Sequence, residues 1–252
     1  VNTIFLVREV RRSEHHDSFI NAVTHELKTP VASIRLHLET LQRRELPEGR
    51  KQEFYRLMLR DTDRLTETVE QVLRAGRAGD KKAGREKADV DFSQLVGECV
   101  EAIRSRYHLQ PETLRYQEPA VNGDGMHVKG SHEDLRIAVS NVLDNAVKYS
   151  GDHVDIQVRL EASDAKKVRL HVQDQGVGVP PEDLKRIFRR FYRISHRSLT
   201  QVKGTGLGLF IVKSIAKKHG GTAFALSEGE GQGTTVVIEL PKTEPNGSGA
   251  KA

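Results

Sequence analysis

Residues 19–34 read FINAVTHELKTPVASI. Apolar side chains return every seven residues at Ile20, Leu27, Ile34 and Leu41, and Thr24, Val31 and Leu38 form a second row beside them. A seven-residue repeat belongs to helices packed side by side with a slight supercoil, so residues 8–45 read as one long helix. In that frame His25 falls near the outermost position, towards water, and Thr29 lies one turn on along the same face. Pro30 removes a backbone hydrogen bond and predicts a kink one turn after His25. A helix that serves stability alone has no use for a proline there.

Outward from this stretch, Pro47 and Gly49 in LPEG (46–49) end the helix. A helical pattern resumes over 50–77 through Phe54, Met58, Leu65, Val69 and Val72, which makes a hairpin. A lone hairpin buries one side of each helix, and below about 70–80 residues such a core is rarely sufficient. Pairing two hairpins into a four-helix bundle solves this, so a homodimer is expected. Residues 78–89, AGDKKAGREKAD, have no apolar period and read as a linker. Beyond them, 91–109, 131–150 and 205–221 have helical patterns, and 154–160, 168–174, 222–228 and 234–240 read as strands. That order predicts an α+β two-layer sandwich. The divisions expected are a membrane-proximal stub (1–12), a helical hairpin unit (13–77), a linker (78–89), the α+β unit (90–241) and a disordered polar tail (242–252).

Composition narrows the function classes. Lys plus Arg number 40 against 35 Asp plus Glu, and the two signs are interleaved, as in RRSEHHD and RLTETVEQVLRAGR. This reads as solvated helix faces, and no nucleic-acid partner is expected. The single cysteine, Cys99, excludes an internal disulfide and a cysteine-based zinc site, and suits a reducing compartment. Its setting, LVGECVEAI, is that of a buried thiol. TIFLV at 3–7 is far short of the ~20 apolar residues that cross a bilayer. Followed by REVRR, it reads equally as the end of a membrane helix with a basic inner flank or as an ordinary helix start.

Two constellations carry chemistry. An exposed imidazole has an unperturbed pKa near about 6.5 and attacks phosphorus through one neutral ring nitrogen. Glu26 beside it can fix the tautomer and accept the other proton. Most exposed histidines are simply solvated, and His15, His16 and His37 take that reading. The second constellation is a nucleotide pocket. DQGVGVP (174–180) follows a strand: Asp174 offers an acceptor suited to the amino edge of adenine, while Gly176 and Gly178 let backbone approach a ligand. GTGLGL sets Gly204, Gly206, Leu207 and Gly208 ahead of a helix whose free N–H groups suit phosphate. In NVLDNAVKYS, Asn141 and Asn145 stand one turn apart, with Lys148 and Tyr149 a turn further on. Neutral amides can hold Mg²⁺ when phosphates supply the charge, and Lys148 can neutralise phosphate directly. RIFRRFYRISHRSLTQVKG (186–204) reads as a mobile lid, an interaction surface or a nucleic-acid patch.

Taken in order, these stretches resemble the sensor histidine kinases of bacterial two-component systems. FINAVTHELKTPVASI resembles the H box, NVLDNAVKYS the N box, DQGVGVP the G1 box, IFRRFYRI the F box and GTGLGL the G2 box. The resemblance runs over about residues 13–241, and Gln175 departs from the asparagine common there. It implies ATP and Mg²⁺ as cofactors, His25 as phosphoacceptor, Glu26 as its acid–base partner and Thr29 as a residue used in dephosphorylating the partner. It implies Asn145 as magnesium ligand with Asn141 assisting, Lys148 and Tyr149 lining the nucleotide, and Asp174 binding the adenine amine. Arg193 would steady the γ-phosphate, and Gly204, Gly206 and Gly208 would form the phosphate loop. It further implies a response-regulator receiver domain as partner, and a cytoplasmic portion of a protein anchored upstream in the bacterial inner membrane. Two other readings remain open at this point: a nucleotide-hydrolysing enzyme of the same ATPase fold without histidine phosphorylation, and a non-catalytic dimeric scaffold.

Overall fold

The computed structural model describes residues 23–24, 26–77, 88–117, 126–151, 153–164, 166–194 and 204–243. His25, the 1–12 stub, most of the linker and the tail from 244 onward lie outside the described residues. Among the described residues no helix is long and apolar enough to cross a membrane.

Helix α1 covers 26–43 and continues through Pro30, which is buried. After the break at 44–47 comes α2 (Glu48–Arg77). One face of α2 carries Tyr55, Leu59, Val69 and Leu73 exposed, and α1 adds exposed Val31, Leu36 and Leu38. The seven-residue rows therefore leave part of their apolar surface uncovered within one chain.

Strand β1 (Ala88–Asp91) takes up the last two residues read as linker and the first two of the next unit. It is followed by α3 (Phe92–Tyr107), β2 (Leu114–Gln117), β3 (His127–Gly130), α4 (His132–Tyr149), β4 (Ile156–Asp164), β5 (Lys167–Asp174), α5 (Gly208–Lys218), β6 (Thr222–Leu226) and β7 (Thr234–Pro241). The main sheet has the order β2-β4-β5-β7-β6, and β1 pairs with β3 in a two-stranded ribbon. β2 runs parallel to β4 and the other pairs of the sheet are antiparallel, so the sheet is mixed.

Each element follows from its residues. The Asp91 carboxylate caps α3 by accepting from Ser93 and Gln94 N–H groups at 3.0 and 3.1 Å. The Ser131 hydroxyl accepts from the Asp134 N–H at 3.3 Å to cap α4, and Glu133 and Asp134 suit that helix's positive end. α3 contributes Phe92, Leu95, Val96, Cys99, Val100 and Ile103 to the core, α4 Leu135, Val139, Val142 and Leu143, and α5 Ile211, Val212 and Ile215. Along β5 the core-facing positions are Val168, Leu170, Val172 and then Asp174. Strand alternation thus drives a carboxylate into the layer between sheet and helices.

Candidate active site

An open cleft of about 1160 Å³, its solvent mouth included, lies where α4, the end of β5 and the loop before α5 meet. Asn141, Asn145, Lys148 and Tyr149 come to its wall from one stripe of α4, with Asp174 at the end of β5 and Gly178 in the turn after it. Arg193 and the glycines 204, 206 and 208 close the remaining side. Gly176 and Leu207 are not on the wall. Leu207 is fully buried in the core and anchors the loop from beneath. Gly176 sits behind Asp174, donating its N–H to Asp174 Oδ1 at 2.9 Å.

Asp174 is only 6% exposed, and burial pushes its carboxyl up to about 6. The N–H groups of Gly176 and Thr234, the latter at 3.2 Å, pull the other way. Both donors reach Oδ1. Gly178 has φ +70, and a Cβ there would lie 1.9 Å from the Gly229 carbonyl oxygen, so only glycine fits.

The amides of α4 are drawn close to the α5 terminus. A Cβ on Gly208 would come within 3.1 Å of Asn141 Oδ1 and 3.6 Å of the Asn145 amide. The Asn141 amide N–H₂ donates back to the Ile137 carbonyl at 2.8 Å. α5 has no side-chain cap on its first turn, and its amides there have the geometry that suits anionic oxygens. Lys148 is bonded to Asp144 Oδ2, and Tyr107 donates its hydroxyl to Asp144 Oδ1 at 2.6 Å. Burial first, then that bond, raises the Tyr107 pKa and keeps the phenol protonated. With Asp144 engaged on both oxygens, the polar groups left to a cation here are neutral amides. Among the described residues no three His, Cys, Asp or Glu side chains cluster as metal ligands. Such a site suits an ion that brings phosphate oxygens with it.

The hairpin also reaches the cleft. Glu26 is 7% exposed and accepts from Arg64 Nη2 of α2 at 2.6 Å. Arg193 Nη1 approaches the other Glu26 oxygen at 3.9 Å. Gln71 of α2 lines the cleft, and its Oε1 accepts from the Thr205 hydroxyl at 2.9 Å. Thr29 is exposed on α1. Sequence reasoning did not single out Arg64, Gln71, Asp144, Tyr107 or Thr205. Asp144 stands inside the NVLDN stretch and Thr205 inside GTGLGL, so their neighbours gave a signal. Arg64 and Gln71 sit on an ordinary polar helix face that gave none.

Two family models match the chain. The His Kinase A (phospho-acceptor) domain matches residues 15–81, and the histidine kinase-, DNA gyrase B- and HSP90-like ATPase matches residues 130–244. Mycobacterial sensor histidine kinase MprB superposes with TM-score 0.52 at 31% identity, covering 63% of this chain and 99% of that one. The chain belongs to the sensor histidine kinases. Drug sensory protein A of Synechocystis sp. is 35% identical over 247 residues, 93% of this chain and 36% of that protein. Sensor protein RprX of Bacteroides fragilis is 31% identical over 249 residues, 95% of this chain and 46% of that protein. The chain thus spans less than half the length of these two sensor proteins. The span matched by the ATPase model, residues 130–244, contains every residue lining the cleft except Gln71.

Proposed function

We propose that the chain uses ATP bound in the cleft to phosphorylate His25, and that the phosphoryl group then passes to an aspartate of a response-regulator receiver domain. The observation that carries this reading is the approach of Arg193, on the cleft wall, to Glu26, the residue joined to His25 by one peptide bond. Phosphoryl transfer asks a protein chiefly for positioning and charge neutralisation. One imidazole nitrogen attacks the γ-phosphorus, the bond to the bridging oxygen breaks, and ADP departs. The other ring nitrogen gives up its proton to Glu26.

Asp174 accepts the adenine amine, Gly176 and Gly178 shape the turn beneath it, and Tyr149 lines the base. Lys148 and the α5 N-terminus, from Leu207 and Gly208, receive phosphate oxygens, with Gly204 and Gly206 giving the loop its path. Arg193 turns to the γ-phosphate. Asn145, with Asn141 beside it, would hold Mg²⁺, which when bound neutralises charge on the phosphates. Thr29 would orient a water when the partner is dephosphorylated. The hairpin over 13–77 would pair with a second copy through its exposed apolar stripe, and the 78–89 linker would separate it from the catalytic unit over 90–241. The whole protein would be anchored in the bacterial inner membrane upstream of residue 1, with this portion in the cytoplasm.

Incubation with γ-labelled ATP and Mg²⁺ tests the reading. The expected result is acid-labile label on the protein, absent in His25→Gln. Release of phosphate without labelled protein would point to a plain ATPase, and neither product to a scaffold.

A further inference from the structure

Four residues line up along α2, Arg64, Thr68, Gln71 and Ala75, and two of them, Gln71 and Ala75, touch the catalytic unit. Their spacing of four, three and four places them on one stripe of the helix. Each is engaged. Arg64 holds Glu26. Thr68 is buried and donates to the Arg64 carbonyl at 2.9 Å. Gln71 meets the Thr205 hydroxyl. Ala75 is 5% exposed, belongs to the main apolar core, and its carbonyl accepts from Arg190 Nη2 at 3.3 Å. The Arg190 guanidinium lies 4.5 Å from the Phe210 ring centroid on α5. The catalytic unit is tied to the hairpin directly at Gln71 and Ala75, and near Arg64 by way of Glu26, which Arg193 approaches at 3.9 Å. The three ties spread over about 16 Å of helix axis at 1.5 Å per residue, enough to fix an orientation as well as a position.

The middle contact has a second arm. While the Thr205 hydroxyl donates to Gln71, it accepts from the Leu207 N–H at 3.3 Å. Leu207 is the N-cap residue of α5, the helix whose first turn abuts Asn141 and Asn145. A continuous chain of two hydrogen bonds therefore runs from α2 to the α5 terminus.

Resting on the kinase reading above, we propose that Gln71 is a positioning residue for histidine phosphorylation: through Thr205 it pins the α5 terminus in register with the hairpin. The pin acts on alignment between the nucleotide and the phosphoacceptor helix, and little on the nucleotide's own affinity. Misplacement of reacting groups by about 1 Å can cost a hundredfold in rate, so loss of one of three anchors leads to an expected slowing of about tenfold.

The test uses the full 252-residue chain. Single-turnover autophosphorylation at saturating ATP and displacement of a fluorescent ATP analogue are measured for wild type, Gln71→Ala, Thr205→Val and the double variant. Gln71→Ala is expected to lower the saturating rate about tenfold and to move the dissociation constant less than threefold. The double variant is expected to label no more slowly than the slower single variant, because both remove one linkage. Gln71→Asn, shorter by one methylene, should reproduce the slowing with polarity unchanged, and retained nucleotide binding certifies its fold. A wild-type rate in Gln71→Ala or Gln71→Asn, a loss confined to affinity, or multiplicative effects in the double variant would overturn the inference. An unlabelled wild-type chain is a different outcome: it removes the kinase reading itself, and the pin with it.

Discussion

Asp174 holds two opposed demands in one side chain. Its register on β5 buries it, and burial lifts its carboxyl to about 6 from an ordinary 3.8. The folded chain therefore holds this proton more tightly than the unfolded chain does. The stabilisation that comes with it is full below about pH 4 and is lost as pH rises through about 6. Above that the fold carries a buried negative charge, whose proposed use is to accept the adenine amine. Asp174→Asn should accordingly melt higher than wild type without nucleotide at pH 7.5, and the gain should shrink at pH 5. The same variant should lose tenfold or more in ATP affinity, because an amide is a poorer acceptor for the adenine amine. Differential scanning calorimetry and a binding titration check the two halves. For wild type, affinity should weaken as pH falls through about 6. Gly208 poses a similar split. A methyl group there meets Asn141 Oδ1 at 3.1 Å and must push it aside by a few tenths of an ångström. Alanine also raises helix propensity over glycine by up to about 1 kcal/mol. Gly208→Ala should melt no lower than wild type and bind ATP about three- to tenfold more weakly.

At the scale of elements, α2 is a helix with two unlike sides. The stripe from Arg64 to Ala75 meets the catalytic unit at Gln71 and Ala75, and Tyr55, Leu59, Val69 and Leu73 lie roughly opposite, 46–65% exposed. An apolar stripe of that size matches the four-helix pairing that the sequence suggests. Leu73→Asp should therefore shift the chain from dimer to monomer in sedimentation while leaving the melting of the catalytic unit within about a degree. A wild-type chain that sediments as a monomer at micromolar concentration would remove this pairing. What was legible in the sequence divides along the same line. α3, α4, α5, β5 and β7 declare themselves because long elements repeat their period several times. β1, β2 and β3 have four residues each, too few for alternation to rise above chance, and they close on partners distant in sequence. The parallel β2–β4 pair was invisible for that reason.

For the whole molecule, the cleft was readable wherever a residue type was forced by local chemistry. Gly178 needs a positive φ, and Asp174 interrupts an apolar alternation. The paired amides Asn141 and Asn145 stand one turn apart on a helix. Gln71 and Arg64 were unreadable because nothing in their own neighbourhood forces them. Their partners, Thr205 for Gln71 and Glu26 for Arg64, are distant in sequence, and the sequence spells each element without spelling the joint.

Ala75 sets how firmly that joint is fastened. The fully buried apolar part of the seam is the Ala75 methyl group, with Val72 packed partly buried against the core, and burying one such methyl carbon contributes only about 0.8 kcal/mol. The remaining ties are polar pairs that water can replace nearly in kind. A leucine at that place would weld the two halves together. An alanine makes the fastening a press-stud that opens at low cost, which under the proposed function would let the catalytic unit release the helix after transfer and leave that surface clear for the next protein.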